Sequence, residues 1–207
     1  MIWLFLLFLL FTYPAEAAVL TGSIEAGEKF FDLLAEEEDN YFYHRAFIRY
    51  QEDITPQASY SLRYELQRRE YSERVRFSSV MHEMRGTLTL DPSDRWRYYL
   101  YLSSRGRSYP QAQTGTYFAL IPEIQVNYYP RDDTTYTARW RYQFRHYPQA
   151  LERNSHQQIL TLTFRFNIRP DLTVNGRYRT AVEVPAATRD ELEMEHRISL
   201  GFRYVLD

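Results

Sequence analysis

The chain has no cysteine, so no disulfide staples it and no thiolate is available as a nucleophile or ligand. Glycine is scarce, at 7 of 207 residues, a length that suits one domain. The formal net charge is only −2, which offers no electrostatic basis for nucleic acid as a partner. Long apolar runs are missing after the first turn of sequence, and mean hydropathy is −0.54. A window average therefore reads as a soluble chain. That average misleads where apolar and polar residues alternate, because a period of two cancels within any window.

The one apolar run is residues 2–11, followed by Pro14 and Ala15-Glu16-Ala17. An apolar core with a small-x-small site describes a signal peptide over 1–17, cleaved after Ala17, leaving a mature domain of 18–207. The run is too short to span a bilayer as a helix. It departs from the usual pattern in having no Lys or Arg ahead of it. No cysteine follows the cleavage site, so a lipoprotein is excluded. The mature chain is expected to leave the cytoplasm.

What the chain has in quantity is tyrosine, 19 residues, and strict alternation. Over 58–66 the even positions are Ala58, Tyr60, Leu62, Tyr64 and Leu66, against Ser59, Ser61, Arg63 and Glu65. Over 136–144 they are Tyr136, Ala138, Trp140, Tyr142 and Phe144, against Thr137, Arg139, Arg141 and Gln143. Residues 160–168 and 192–206 repeat the pattern. Alternation over such lengths predicts strands of roughly nine to fifteen residues, whereas a soluble strand has about five or six. A tilted membrane strand needs about nine to eleven. Short Pro- and Asp-bearing turns fall at 53–56, 91–94, 130–133 and 169–171. Longer polar connections fall near 32–40, 67–73, 106–114, 147–155 and 183–191. The turn prolines, at 56, 92, 130 and 170, mark a hairpin rhythm more than a sequence repeat.

Four short turns and five longer connections predict ten strands, the first over 20–30, in an all-β, single antiparallel up-and-down transmembrane β-barrel. The weakest stretch is 68–79, where Val75 and Phe77 are apolar on the odd phase. A bulge near Ser78-Ser79, or a hairpin projecting above the membrane, accounts for it. If neither holds, the count becomes eight or twelve.

The last residues alternate as Ile198-x-Leu200-x-Phe202-x-Tyr204-x-Leu206. This resembles the closing segment of bacterial outer-membrane proteins, although the chain ends Val205-Leu206-Asp207 instead of on a terminal aromatic. As an architecture, the whole mature chain resembles a bacterial outer-membrane β-barrel. The resemblance implies insertion by the barrel-assembly machinery, contact with outer-membrane lipid and lipopolysaccharide, short turns in the periplasm and longer loops outside. An even strand count then puts both termini in the periplasm. No cofactor and no metal are expected.

The polar parity would line a lumen with Arg63, Glu65, Arg97, Glu123, Arg139, Arg141, Arg145, Arg165, Arg177, Arg179, Glu193, Glu195, Arg197 and Arg203; Arg45, Arg49, Glu83 and Arg85 share it. Even-numbered Tyr50, Tyr60, Trp96, Tyr98, Tyr128, Tyr136 and Tyr204 cluster beside the short turns as a lipid-interface girdle. Phe42, Phe118, Tyr142, Phe144 and Tyr178 suit a second girdle. A soluble lipocalin-like barrel would turn the apolar parity inward instead. Against it stand the strand lengths and the aromatics at strand ends.

Barrels of this size include enzymes. The omptin-like proteases need Asp pairs and an Asp-His pair at the outer rim, and Asp132-Asp133 sits at the opposite end. His196 and Ser199 oppose across one strand, as do Ser155 and His156, so no Ser-His-acid set has usable parity. All five histidines (His44, His82, His146, His156 and His196) fall on the outward parity, where interfacial contact with lipid head groups suits them. The acidic run Glu36-Glu37-Glu38-Asp39 reads as a solvated loop, with cation bridging to lipopolysaccharide phosphates as the alternative. Arg139, Arg141 and Arg145 are expected to face Arg165, Arg177 and Arg179 as a cationic ladder, which a hydrated lumen or a bound anion would relieve. The expected function is a passive channel or structural envelope barrel, not an enzyme. Surface binding, or membership of an envelope complex, is the alternative.

Overall fold

The computed structural model describes residues 18–29, 41–71, 75–169, 171–185 and 193–204. The signal peptide, the acidic run at 36–39, the connection at 186–192 and the last three residues lie outside them. Ten strands follow one another: β1 (Ala18–Lys29), β2 (Tyr41–Thr55), β3 (Ala58–Tyr71), β4 (Ser79–Ser93), β5 (Trp96–Ser108), β6 (Tyr117–Arg131), β7 (Thr134–His146), β8 (Ser155–Arg169), β9 (Leu172–Pro185) and β10 (Glu193–Tyr204). They form one antiparallel sheet in sequence order, each strand bonded to the next, with β1 and β10 at its two edges. At ~3.3 Å per residue and a tilt of ~40°, a strand of 13 residues such as β5 stands roughly 33 Å tall. The hydrocarbon core of a bilayer is about 30 Å thick.

The hairpin rhythm is a structural repeat of fixed length. Strands β2, β4, β6, β8 and β10 begin at Tyr41, Ser79, Tyr117, Ser155 and Glu193, each 38 residues after the last. Strands β3, β5, β7 and β9 begin at Ala58, Trp96, Thr134 and Leu172, on the same interval of 38. Each two-residue turn is preceded by a register shift, at Asp53/Thr55, Leu90/Ser93, Tyr128/Arg131 and Asn167/Arg169. Backbone bonds stitch successive turns together: Asp91 N–H donates to Gln57 O, Tyr129 to Arg95 and Asn167 to Asp133, at 2.7–2.8 Å. The longer connections also share one device. The backbone N–H of Tyr71, Tyr109 and Tyr147 donates to the side chain seven residues on, in Ser78, Thr116 and Asn154. The repeat escapes a sequence reading because the backbone carries it, and few side-chain identities recur.

Two boundary expectations also change. Strand β3 runs on to Tyr71 and β5 to Ser108, so 67–71 and 106–108 are strand, not loop. Residues on both parities are polar there, so alternation gives no contrast. The bulge proposed near Ser78-Ser79 is not made. Val75–Phe77 is a 3-10 turn, and β4 pairs with β3 from Ser79↔Arg69 onward without a shift.

Parity decides burial. Within the strands, every buried residue except Glu52, Thr134 and Gly176 is odd-numbered, and most are polar: Ser61, Glu83, Ser103, Glu123, Asn127, Gln143, Ser155 and Thr161. The large exposed apolar side chains of the strands are all even-numbered except Val19. A single sheet has no second layer to cover one face. The odd face is therefore concave and shielded by its own curvature, and the even face is convex and apolar. That is the reverse of a soluble fold. Strand β10, at an edge, is exposed on both parities apart from Gly201.

Glu52 breaks the outward apolar rule. It is buried on the convex face near a turn, where it accepts hydrogen bonds from the hydroxyls of Tyr50 and Tyr60. Gly176 illustrates how tightly the convex face is tiled. A Cβ there would lie 2.2 Å from Cε1 of Phe164 and 3.0 Å from Cδ2 of Leu200. Gly176→Val should displace the ring and cost about 1–3 kcal/mol, as overpacking does. Gly106→Ala, where a Cβ meets nothing within 4 Å, should be neutral. Urea unfolding of the two variants checks the contrast.

Candidate functional site: the concave arginine–glutamate face

The concave face is organised by carboxylates that each hold two guanidinium groups. Glu65 binds Arg45 at 2.7 Å and Arg63 at 2.6 Å. Glu83 binds Arg85 at 3.0 Å and Arg105 at 2.6 Å. Glu123 binds Arg139 and Arg141, both at 2.7 Å. Glu195 binds Arg179 at 2.8 Å and Arg197 at 2.9 Å. Each cluster carries one surplus positive charge. The carboxylates at the centre of the sheet are the buried partners, with Glu123 only 6% exposed, while the arginines reach toward the hollow. A buried carboxylate with two charge-assisted bonds offsets much of its desolvation cost.

The register corrects the expected ladder. Arg139, Arg141 and Arg145 stand opposite Thr161, Ile159 and Ser155, and β8 separates them from Arg177 and Arg179. Like charges do meet elsewhere. Arg49, Arg63 and Arg85 form a row across β2, β3 and β4, Glu65 faces Glu83, and Arg179 faces Arg197. Glu83 and Glu123 bind Arg105 and Arg141 directly opposite them, and the other pairs of the four clusters join residues one same-face step apart, along a strand or on the diagonal, which resolves most of these contacts.

The other expected lumen residues are distributed unevenly. Arg97 binds Asp91 at 2.5 Å near the short turns. Arg145 reaches Glu183 at 3.6 Å. Arg165 donates to Asn167. Glu193 faces Glu183 on the edge strand. Arg177 faces Ser199, and Arg203 faces Thr173. Sequence reasoning missed Arg105, beside an expected connection, and Arg69 and Arg107, which lie where strands were read as loops. It also missed an inward tyrosine set at the loop end, Tyr41, Tyr43, Tyr71, Tyr109, Tyr117 and Tyr147. Tyr41 and Tyr71 have ring centroids 5.1 Å apart, and Tyr117 and Tyr147 5.5 Å. Odd parity next to a long connection was the signal for them. Lys29 is the only lysine of the chain, so the other side-chain cations of this face are guanidinium forks.

On the convex face, the residues expected as a girdle lie in rows. Tyr50 and Tyr60 are 6.0 Å apart. Tyr98, Trp96, Tyr128 and Tyr136 stack in succession, with Trp96–Tyr128 at 4.4 Å, and Tyr136 meets Phe166 edge-on. Tyr204 is exposed on the edge strand. Toward the loop end, three histidines are tied diagonally to tyrosines of the preceding strand: His82 to Tyr64 at 2.6 Å, His196 to Tyr178 at 3.0 Å, and His156 to Tyr142. Ser155 is buried in the hollow while His156 is exposed on the other face, so they cannot act together.

No family model matches the chain, and no curated protein matches it. Solved structures do resemble it. The outer membrane channel DcaP of Acinetobacter baumannii aligns with a TM-score of 0.63 at 11% identity, over 93% of this chain and 59% of that one. OmpT, an outer membrane protein of Vibrio cholerae, aligns with a TM-score of 0.56 at 10% identity, over 93% and 62%. The siderophore receptor PirA from Pseudomonas aeruginosa aligns with a TM-score of 0.53 at 11% identity, over 91% and 36%. The chain thus spans less than two thirds of each of these proteins. The inverted sheet and these likenesses together define the class: the fold is that of bacterial outer-membrane β-barrel proteins.

The carboxylates shared between paired arginines hold this concave face together. Glu123→Gln would leave Arg139 and Arg141 without their counter-charge. The expected loss is roughly 2–3 kcal/mol, below the figure for fully buried pairs because the arginines are part-hydrated. Adding Arg141→Gln should recover part of it in a double-mutant cycle, read by urea unfolding.

Proposed function

We propose that the chain is a passive outer-membrane barrel whose concave face lines a narrow, water-filled pore that favours anions. Residues 1–17 export it, β1 closes on β10, and the short turns and both strand termini at 18 and 204 face the periplasm. The convex face meets lipid and lipopolysaccharide, and the barrel-assembly machinery inserts the chain. The reading includes no catalytic step and no cofactor.

The observation that carries it is the surplus of guanidinium on the concave face. With two arginines for each shared glutamate, internal pairing cannot neutralise the hollow, and uncompensated charge in a narrow lumen requires water or anions. A sealed structural barrel would suit equal numbers of the two charges. Surface binding is disfavoured by the connections at 109–116 and 147–154, each folded back on itself by a 3-10 turn.

In a planar bilayer under a potassium chloride gradient, the reversal potential should take the sign of chloride selectivity. Silence at every voltage would leave the structural barrel instead. Closure is tested separately, because the chain has no cysteine of its own. Ile24→Cys combined in turn with Ile198→Cys, Leu200→Cys or Phe202→Cys should oxidise to an intramolecular cross-link in one register. A covalent dimer in all three would show that the edges pair between copies, against a single-chain barrel.

A further inference from the structure

The 38-residue repeat places one arginine at the same level of three successive hairpins, just inside the loop end: Arg69, Arg107 and Arg145. Each is followed two residues later by an inward tyrosine, in the motif Arg-x-Tyr. Arg145 has its counter-charge in Glu183, which occupies the equivalent position of the next hairpin. Among the described residues, Arg69 and Arg107 have no such acid. Arg69 lies over the ring of Tyr41, 5.3 Å from its centroid. Across the strand boundary, Arg107 donates to the thioether of Met81 at 3.4 Å, a weak acceptor, and it also meets the hydroxyl of Tyr109, so tyrosines and sulfur stand where an acid would.

Both line a hollow of about 420 Å³ on β2 to β5. Its walls hold six arginines (Arg45, Arg63, Arg69, Arg85, Arg105 and Arg107) against Glu65 and Glu83, an excess of four positive charges. Three side-chain donors among the described residues are buried with no hydrogen-bond partner: the Nε atoms of Arg63, Arg69 and Arg107. All three belong to this one hollow. A buried donor left unmade costs about 1–3 kcal/mol, more when it is charged, and guanidinium forks fit oxygens held in one plane or on one phosphorus.

We propose that this hollow is a binding site for a small multivalent oxyanion, carrying carboxylate or phosphate groups, with Arg69 and Arg107 as its principal donors. The inference rests on the pore reading only in requiring that solutes reach the concave face. The site is a specific stop, distinct from the general anion preference of the lumen. The two glutamates orient the inner arginines, and the outer pair, lacking acids, takes the ligand.

Isothermal titration of the folded protein in detergent, with inorganic phosphate and with citrate as probes and chloride as the background anion, tests it. Saturable binding is expected for at least one probe, phosphate alone assigning a phosphoryl ligand and citrate alone a carboxylate. Arg69→Gln and Arg107→Gln should each weaken it at least tenfold. Arg177→Gln, on the same face but outside the hollow, should change it less than twofold. Met81→Glu offers a second measurement, independent of any folding failure. It places a carboxylate beside Arg107, and should abolish binding while raising the unfolding midpoint. Absence of saturable binding by either probe, or unchanged affinity in Arg107→Gln, would overturn the proposal. A wild-type protein that conducts but binds neither probe refutes the site and spares the pore. One that binds but does not conduct does the opposite.

Discussion

A lone sheet with a polar concave face has nothing to pack that face against except its own side chains. Here the glutamates meet that constraint. Each one gathers two guanidinium groups, Glu65 and Glu83 one from their own strand and one from a neighbour, and Glu123 both from β7. Glu65 ties β2 to β3, Glu83 ties β4 to β5, and Glu123 ties β6 to β7. The face that in a soluble protein would bury leucine and valine instead buries Ser103, Glu123 and Gln143. The rest of the molecule follows from that choice. Leucine, tryptophan and phenylalanine must then occupy the convex side, and only an apolar surrounding stabilises them there.

The backbone repeat distributes this chemistry evenly. Equivalent positions of successive hairpins carry Tyr60, Tyr98 and Tyr136 outside, and Arg69, Arg107 and Arg145 inside. Departures from the repeat are where individual character enters. Glu52 stands where later hairpins have Leu90, Tyr128 and Phe166, and two tyrosine hydroxyls cover it. Glu183 stands where earlier hairpins have arginine, and it neutralises Arg145. A repeated scaffold with local substitutions lets one hairpin differ in charge without altering the register of the others.

Alternation made much of this legible from residues alone. The ten strands, the four tight turns and the two faces follow from parity and from Pro-Asp punctuation, because side-chain period and backbone period are the same in a strand. Three things were hidden. The ends of β3 and β5 are polar on both parities, so Arg69 and Arg107 looked like loop residues. The pairing partner of each arginine depends on register, and a cationic ladder across β7 and β9 overlooked the Thr161 and Ser155 of β8 between them. Pro122, in the middle of β6, gave no usable sign either. No β7 partner is assigned to Ile121 or Pro122, yet the register resumes unshifted at Glu123↔Arg141.

The central claim is that even-numbered residues face lipid and odd-numbered residues face a hydrated, arginine-rich hollow. The absence of native cysteine permits a direct reading on β8, from 156 to 168, by nitroxide scanning of the protein in lipid vesicles. The account predicts a period of two. Even positions such as Leu160, Leu162 and Phe164 should be relaxed by dissolved oxygen, and odd positions such as Thr161 and Thr163 by a water-soluble nickel chelate. Nickel access at the even positions, or no alternation along the strand, would contradict it.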